Sequence, residues 1–250
     1  MIVYAVGLGP GDIGYLAPNA VEALRRSDVV AGYTGYLELI PELTNGKEII
    51  ATGMKGEKQR CEAAINEALN GKQVCVVSGG DAGIYGMASL LYELAENHPG
   101  IEIEVVPGIT AAVSTAAILG SPLSNDFAVI SLSDLLTPWD VIEKRLDACS
   151  CADMVLCLYN PRSNKRSDHL ERACLIALRH QPPDTKCGYA RNAFRGNKTE
   201  SHICTLEELS KASVDMFTTV IIGNTCTRII NGKLVTSRGY DLSDAMHPRG

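Results

Sequence analysis

Three glycine-rich stretches carry the residues that could do chemistry. They are Gly7-Leu-Gly-Pro-Gly-Asp12, Ser78-Gly-Gly-Asp-Ala-Gly-Ile-Tyr-Gly86 and Val106-Pro-Gly-Ile-Thr-Ala111, and each follows an apolar run that reads as a strand. The end of a strand, where the chain turns toward a helix, is where open α/β sheets bind ligands. Glycine lets a ligand approach the backbone and lets φ become positive. One acid, Asp81, stands at the centre of the second stretch. A plainer reading is a tight strand-to-helix turn with Asp81 as helix N-cap.

A nucleotide phosphate suits these loops poorly. The pattern G-x-G-x-x-G needs glycine where Asp12 stands, Pro10 removes a backbone N–H, and the next strand ends at Gly32 rather than at a ribose-binding acid. No glycine loop closes in G-K-[ST], so the Walker pattern is absent, which counts against a phosphate cradle. A cationic or neutral ligand with a ribose and a base fits better, because a nearby Asp81 then costs nothing electrostatically. S-adenosylmethionine, with its sulfonium, is such a ligand.

The elements that must position these loops alternate. Strands are expected over 2–7, 28–32, 48–52, 73–77, 101–106, 128–133, 154–159, 186–191, 199–204 and 218–222. Helices are expected over 18–27, 57–70, 84–97, 139–147, 167–180 and 206–212. A loop and helix span 33–43, and a small-residue helix follows the third glycine stretch as far as about Gly120. Asn231-Gly232 between apolar runs reads as a hairpin turn. The alternation predicts an α/β protein of two α/β domains with mostly parallel sheets, to which the C-terminal half adds antiparallel pieces. The turn-rich stretch 120–126 divides an N-terminal domain, 1–120, from a C-terminal domain, 121–250.

Composition narrows the partners. The 250 residues carry a formal charge of −6, which argues against nucleic acid. No apolar run approaches the ~20 residues of a membrane helix. The chain starts directly as a strand with no basic leader, so a cytoplasmic location is expected. Most of the nine cysteines lie scattered in apolar runs and read as reduced, buried hydrophobes. Cys149-Ser-Cys151 lacks the spacer of metal or redox motifs, so no metal is expected. The five histidines are dispersed and read as structural, with His202, in a strand, the one nearest to chemistry.

Together, in order and in register, the three glycine motifs resemble those of the tetrapyrrole (corrin/porphyrin) methylases, the class III S-adenosylmethionine-dependent methyltransferases, over essentially the whole chain. Gly32-Tyr-Thr-Gly-Tyr-Leu37, Ser131-Leu-Ser-Asp-Leu-Leu-Thr-Pro-Trp139 and Leu158-Tyr-Asn-Pro-Arg-Ser163 resemble the branch that methylates C17 of precorrin-3B or cobalt-precorrin-3. The resemblance implies a two-domain fold with the active-site cleft between the domains, and a homodimer. It implies S-adenosylmethionine contacts at Pro10, Gly79, Gly80, Asp81, Ile84, Thr110, Ala111, Tyr159 and Ala193. Ala193 stands where relatives have glycine, and alanine still permits a backbone contact. Tyr33 stands where uroporphyrinogen-methylating relatives have an aspartate base, so that role does not transfer.

The reaction so implied is C17 methylation with ring contraction to (cobalt-)precorrin-4, in cobalamin biosynthesis. Methyl transfer mainly needs an in-line geometry at near-attack distance, and the enamine-like substrate carbon needs no strong base. Ring contraction needs a positioned acid or base. Asp12, Tyr33, Ser131, Ser133 and Asp134 flank the loops and are the candidates, with a turn (Asp12) and a helix cap (Ser133, Asp134) as the structural readings. The anionic tetrapyrrole would pair with basic loop residues, Arg162, Arg166 and Arg191 foremost, with Lys165, Arg195 and Lys198 nearby. The alternatives are a methyltransferase of the same superfamily acting on another precorrin carbon, on a diphthine precursor or on rRNA; a non-catalytic S-adenosylmethionine-binding module; and a nucleotide-binding oxidoreductase.

Overall fold

Residues 1–163 and 167–241 are described in a computed structural model. They divide into two units, Met1–Ser114 with Phe194–Asn197, and Thr115–Ala193 with Lys198 onward.

The first unit contains β1 (Ile2–Gly7), α1 (Pro18–Arg26), β2 (Val29–Tyr33), α2 (Thr34–Leu37), α3 (Pro41–Thr44), β3 (Glu48–Thr52), α4 (Glu57–Leu69), β4 (Val74–Ser78), α5 (Ala88–Ala95) and β5 (Glu102–Val106). The helix α6 (Ala111–Leu119) starts in it and runs into the second unit. Its five strands form one sheet in the order β3-β2-β4-β1-β5, and every pairing is parallel. Successive side chains alternate between its faces. Val3, Ala5, Val74 and Val76 pack with Cys61, Ala64 and Leu91 of α4 and α5. Val6, Cys75 and Val77 pack on the other face with Ala20, Leu24 and Leu37. Apolar cover on both faces is what a parallel sheet requires.

The second unit adds β6 (Gly120–Ser121), β7 (Phe127–Ser131), α7 (Trp139–Cys151), β8 (Val155–Tyr159), α8 (His169–Ala177), β9 (Lys186–Arg191), β10 (Glu200–Thr205), α9 (Leu206–Ser210), β11 (Thr218–Ile222), β12 (Thr227–Ile230) and β13 (Lys233–Thr236). Its main sheet runs β10-β9-β11-β8-β7. Here the antiparallel pieces expected of the C-terminal half make up most of the pairing. Only β7–β8 is parallel, while β8–β11, β11–β9 and β9–β10 are antiparallel. The short link between β9 and β10 leaves no room for the crossover a parallel pair needs. β12 and β13 form the expected hairpin, turning at Asn231 (φ 50°) and Gly232 (φ 73°).

The sheet order explains the glycine motifs. They leave β1, β4 and β5, and in space these strands are neighbours, β4-β1-β5. At their carboxyl ends the backbones come into contact. A Cβ on Gly108 would lie 2.2 Å from the Gly80 carbonyl oxygen, and one on Gly7 would lie 2.6 Å from the Gly108 nitrogen. Gly108→Ala is therefore expected to lower stability by about 1–3 kcal/mol, the cost of forced overpacking. Gly53→Ala, whose Cβ would meet nothing within 4 Å, is expected to stay near wild type. Urea unfolding of both variants checks the contrast.

Candidate active site

The second loop is built around its own backbone and one carboxylate. Gly80 has φ +72° and pairs with Gly9. Its N–H donates to the Gly9 carbonyl at 2.7 Å, and its carbonyl accepts from the Gly9 N–H at 2.9 Å. Asp81 Oδ1 accepts from the Gly83 N–H at 2.8 Å, and its Oδ2 accepts from the Gly108 N–H at 2.9 Å. One oxygen shapes the second loop and the other fastens the third loop to it. Asp81 is therefore not the helix N-cap of the plainer reading; Met87 holds that position.

The helix also starts later than the expected residue 84. Tyr85 is left-handed (φ 53°), and a Cβ on Gly86 would strike the Ala82 carbonyl oxygen at 2.4 Å. The loop closes where Met87 N–H donates to Ser78 Oγ at 3.2 Å. Ile84 is left 39% exposed. A Cβ on Gly79 would fall 2.6 Å from the Tyr36 ring, so the glycine there makes room for that aromatic. Tyr36 in turn meets Tyr33 edge-on, with ring centroids 5.3 Å apart. Burial raises the Tyr36 phenol pKa, against the opposing charge of Arg195.

The first and third loops are held in similar ways. Asp12 Oδ1 accepts from the Gly14 N–H at 2.8 Å and caps a single helical turn, Ile13–Tyr15. The Pro10 carbonyl accepts from Arg195 Nε at 3.0 Å, and Phe194 stacks on Tyr15 with centroids 4.5 Å apart. Thr110 and Ala111 lead into α6, where the Thr110 carbonyl accepts from the Ser114 N–H at 3.1 Å. Ala193 lies between two left-handed residues, Asn192 (φ 49°) and Phe194 (φ 55°).

The other candidates belong to the second unit. Ser131 Oγ, at the end of β7, accepts from Asn160 Nδ2 at 2.9 Å and from the Ser133 N–H at 3.2 Å. The Tyr159 carbonyl accepts from the Leu132 N–H at 2.8 Å. Asp134 Oδ2 lies 3.2 Å from Nε2 of the buried His169. His169 Nδ1 is 3.2 Å from Asp168 on its other side. Arg162 forms no ion pair among the described residues, and Arg166, with Lys165, lies outside them. Arg191 Nε donates to Asp215 Oδ2 at 2.7 Å, so that guanidinium already has a protein carboxylate. His202 stacks on Tyr189, its register partner across β9–β10, with centroids 5.0 Å apart. Burial pushes the Cys75, Cys157 and Cys174 thiols up to about 12, which keeps them unreactive.

Sequence reasoning missed three of these roles. Tyr36 sits in a motif already singled out, but its contact with Gly79 is tertiary. Arg195, read among the basic loop residues near the substrate, also holds the first loop. Asn160 also sits in a motif already singled out, but its bond to Ser131 is tertiary.

Three glycine loops thus leave adjacent parallel strands, the second and third fastened by one carboxylate, and comparisons with known proteins give the family of the chain. Residues 2–210 match the tetrapyrrole (corrin/porphyrin) methylases, and the chain belongs to that family of methyltransferases. The family's methyl donor is S-adenosylmethionine. The chain is 44% identical, over 95% of its length and 98% of the relative's, to a probable cobalt-factor III C(17)-methyltransferase of Salmonella typhimurium. It is 41% identical to the cobalt-factor III methyltransferase of Priestia megaterium, covering 94% of this chain and 44% of that longer protein. The crystal structure of the methyltransferase CobJ superposes with a TM-score of 0.87 at 34% identity, over 94% of this chain and 99% of that one.

Removing the Asp81 carboxylate leaves the Gly83 and Gly108 N–H groups without their acceptor. Asp81→Ala is expected to cost about 2 kcal/mol and to weaken S-adenosylhomocysteine binding, with Asp81→Asn intermediate; calorimetry and urea unfolding read both. Burial pushes the Asp215 carboxyl up, but hydrogen bonds from Arg191, Thr218 and the Phe217 N–H outweigh it and hold the pKa below its ordinary value. A lowered folded-state pKa contributes stability above the unfolded value and loses it as pH falls through the folded one. The melting difference between wild type and Asp215→Asn is therefore expected at neutral pH and to shrink below about pH 4.

Proposed function

We propose that this chain transfers a methyl group from S-adenosylmethionine to C17 of cobalt-factor III, cobalt-precorrin-3 or the cobalt-free precorrin-3B, with contraction of the macrocycle, in cobalamin biosynthesis. The observation that carries the reading is the 44% identity to a C(17)-methyltransferase along nearly the full length of both chains.

The loop chemistry supports the cofactor. Asp81 holds a negative charge at the junction of the second and third loops, which suits a cationic ligand and repels a phosphate. When bound, S-adenosylmethionine supplies an electrophilic methyl group. The protein's task is then to orient it and the nucleophilic carbon. Pro10, Gly79, Gly80, Asp81, Ile84, Thr110, Ala111, Tyr159 and Ala193 are assigned to the cofactor. Because both amide groups of Gly80 already serve Gly9, that residue acts by its positive φ. For the proton transfer of ring contraction, the assignment is Asp12, Tyr33, Ser131, Ser133 and Asp134, of which Asp134 lies 3.2 Å from the His169 imidazole. Arg162 is the arginine assigned to a substrate carboxylate.

The working form is read as a cytoplasmic homodimer, and light scattering of the purified chain tests the stoichiometry. No described helix is long and apolar enough to cross a membrane. Anaerobic incubation with S-adenosylmethionine and, separately, a cobalt-containing substrate or precorrin-3B tests the activity. One added methyl and a contracted-ring spectrum are expected. Methylation at another carbon, or of RNA with no corrinoid turnover, would refute the reading.

A further inference from the structure

Arg60 is a charge with no counter-charge among the described residues. It is 3% exposed, its Nε has no hydrogen-bond partner, and its guanidinium forms no ion pair among the described residues. Of the nearby acids on its own helix, Glu62 pairs with Lys58 instead. A buried guanidinium is unfavourable unless an anion or a full set of acceptors meets it.

Its position says where that anion would come from. Arg60 lies in the first turn of α4, the helix that follows β3 in an all-parallel sheet. A helix following a parallel strand begins at the strands' carboxyl end, the edge from which the three glycine loops also leave. Tyr36, whose ring lies against Gly79 of the second loop, has its phenol pKa raised by burial, with the charges of Arg195 and Arg60 opposing.

We propose that Arg60 is a carboxylate receptor of the site, completed only when a ligand brings an anionic arm to it. The carboxylate is either an acetate or propionate arm of the tetrapyrrole or the amino-acid carboxylate of the cofactor. The proposal rests on the methylation reading above, and its test separates the two.

The full chain is compared as wild type, Arg60→Met and Arg60→Lys. S-adenosylhomocysteine binding is measured by calorimetry and uroporphyrin III binding by fluorescence quenching, with thermal melting of each ligand-free protein. Arg60→Met is expected to melt no lower than wild type, since an unpaired buried charge is gone. It is also expected to bind one of the two probes at least tenfold more weakly, and that probe identifies the source of the carboxylate. Arg60→Lys is expected to recover part of the loss. Unchanged affinity for both probes would overturn the receptor while leaving the methylation reading intact. A lower melting point with equal weakening of both probes in both variants would show a packing residue and overturn it as well. Wild-type protein that binds neither probe would overturn both the receptor and the methylation reading.

Discussion

The junction of Gly7, Gly80 and Gly108 is the contact on which the site depends. Three backbones from three adjacent strands meet where no side chain fits, since a Cβ on Gly108 would stand 2.2 Å from the Gly80 oxygen. Such a contact has little cohesion of its own, because glycine buries little apolar surface. The hydrogen bonds supply it. Gly9 and Gly80 exchange a pair, and Asp81 places one carboxylate oxygen on each of two loops. A bond from backbone N–H to an ionised carboxylate is roughly twice as strong as a neutral one, so one residue does much of the fastening.

That arrangement ties the charge at Asp81 to loop geometry. Asp81 faces two backbone donors, so its charge is part of the loop before any ligand arrives. A cation placed there finds a pre-oriented negative group, and this orientation is formed during folding rather than on binding. The same logic runs through Arg195, which holds the Pro10 carbonyl, and through Tyr36, whose ring occupies the space that a side chain on Gly79 would take. In the second unit the polar groups are likewise tied locally: Ser131 by Asn160, and Arg191 by Asp215. Arg60 is the contrast, buried with no ion pair among the described residues.

Much of the fold was legible because periodicity reports burial. The strands 48–52, 186–191 and 218–222 lie where their apolar patterns put them. The helix after the second loop did not start at residue 84, because Ile84 and Met87 satisfy a helical spacing while the backbone at Tyr85 and Gly86 forbids it. Antiparallel pieces were expected in the C-terminal half, but which strands pair that way was hidden for a different reason. A buried strand has the same composition whichever way its neighbour runs, and direction is set by the length and path of the connections.

From its residues alone the chain specified an α/β protein, three glycine loops at strand ends, a preference for a cation over a phosphate, and the family those motifs mark. These are local properties: side-chain type, spacing and charge act within a few residues of one another. Only the tertiary structure decided that the loops touch, that Asp81 bridges two of them, that Arg195 serves the first loop and that Arg191 is already paired. Those facts depend on which strands are neighbours, here β4-β1-β5, and strand order is settled by packing between segments remote in sequence.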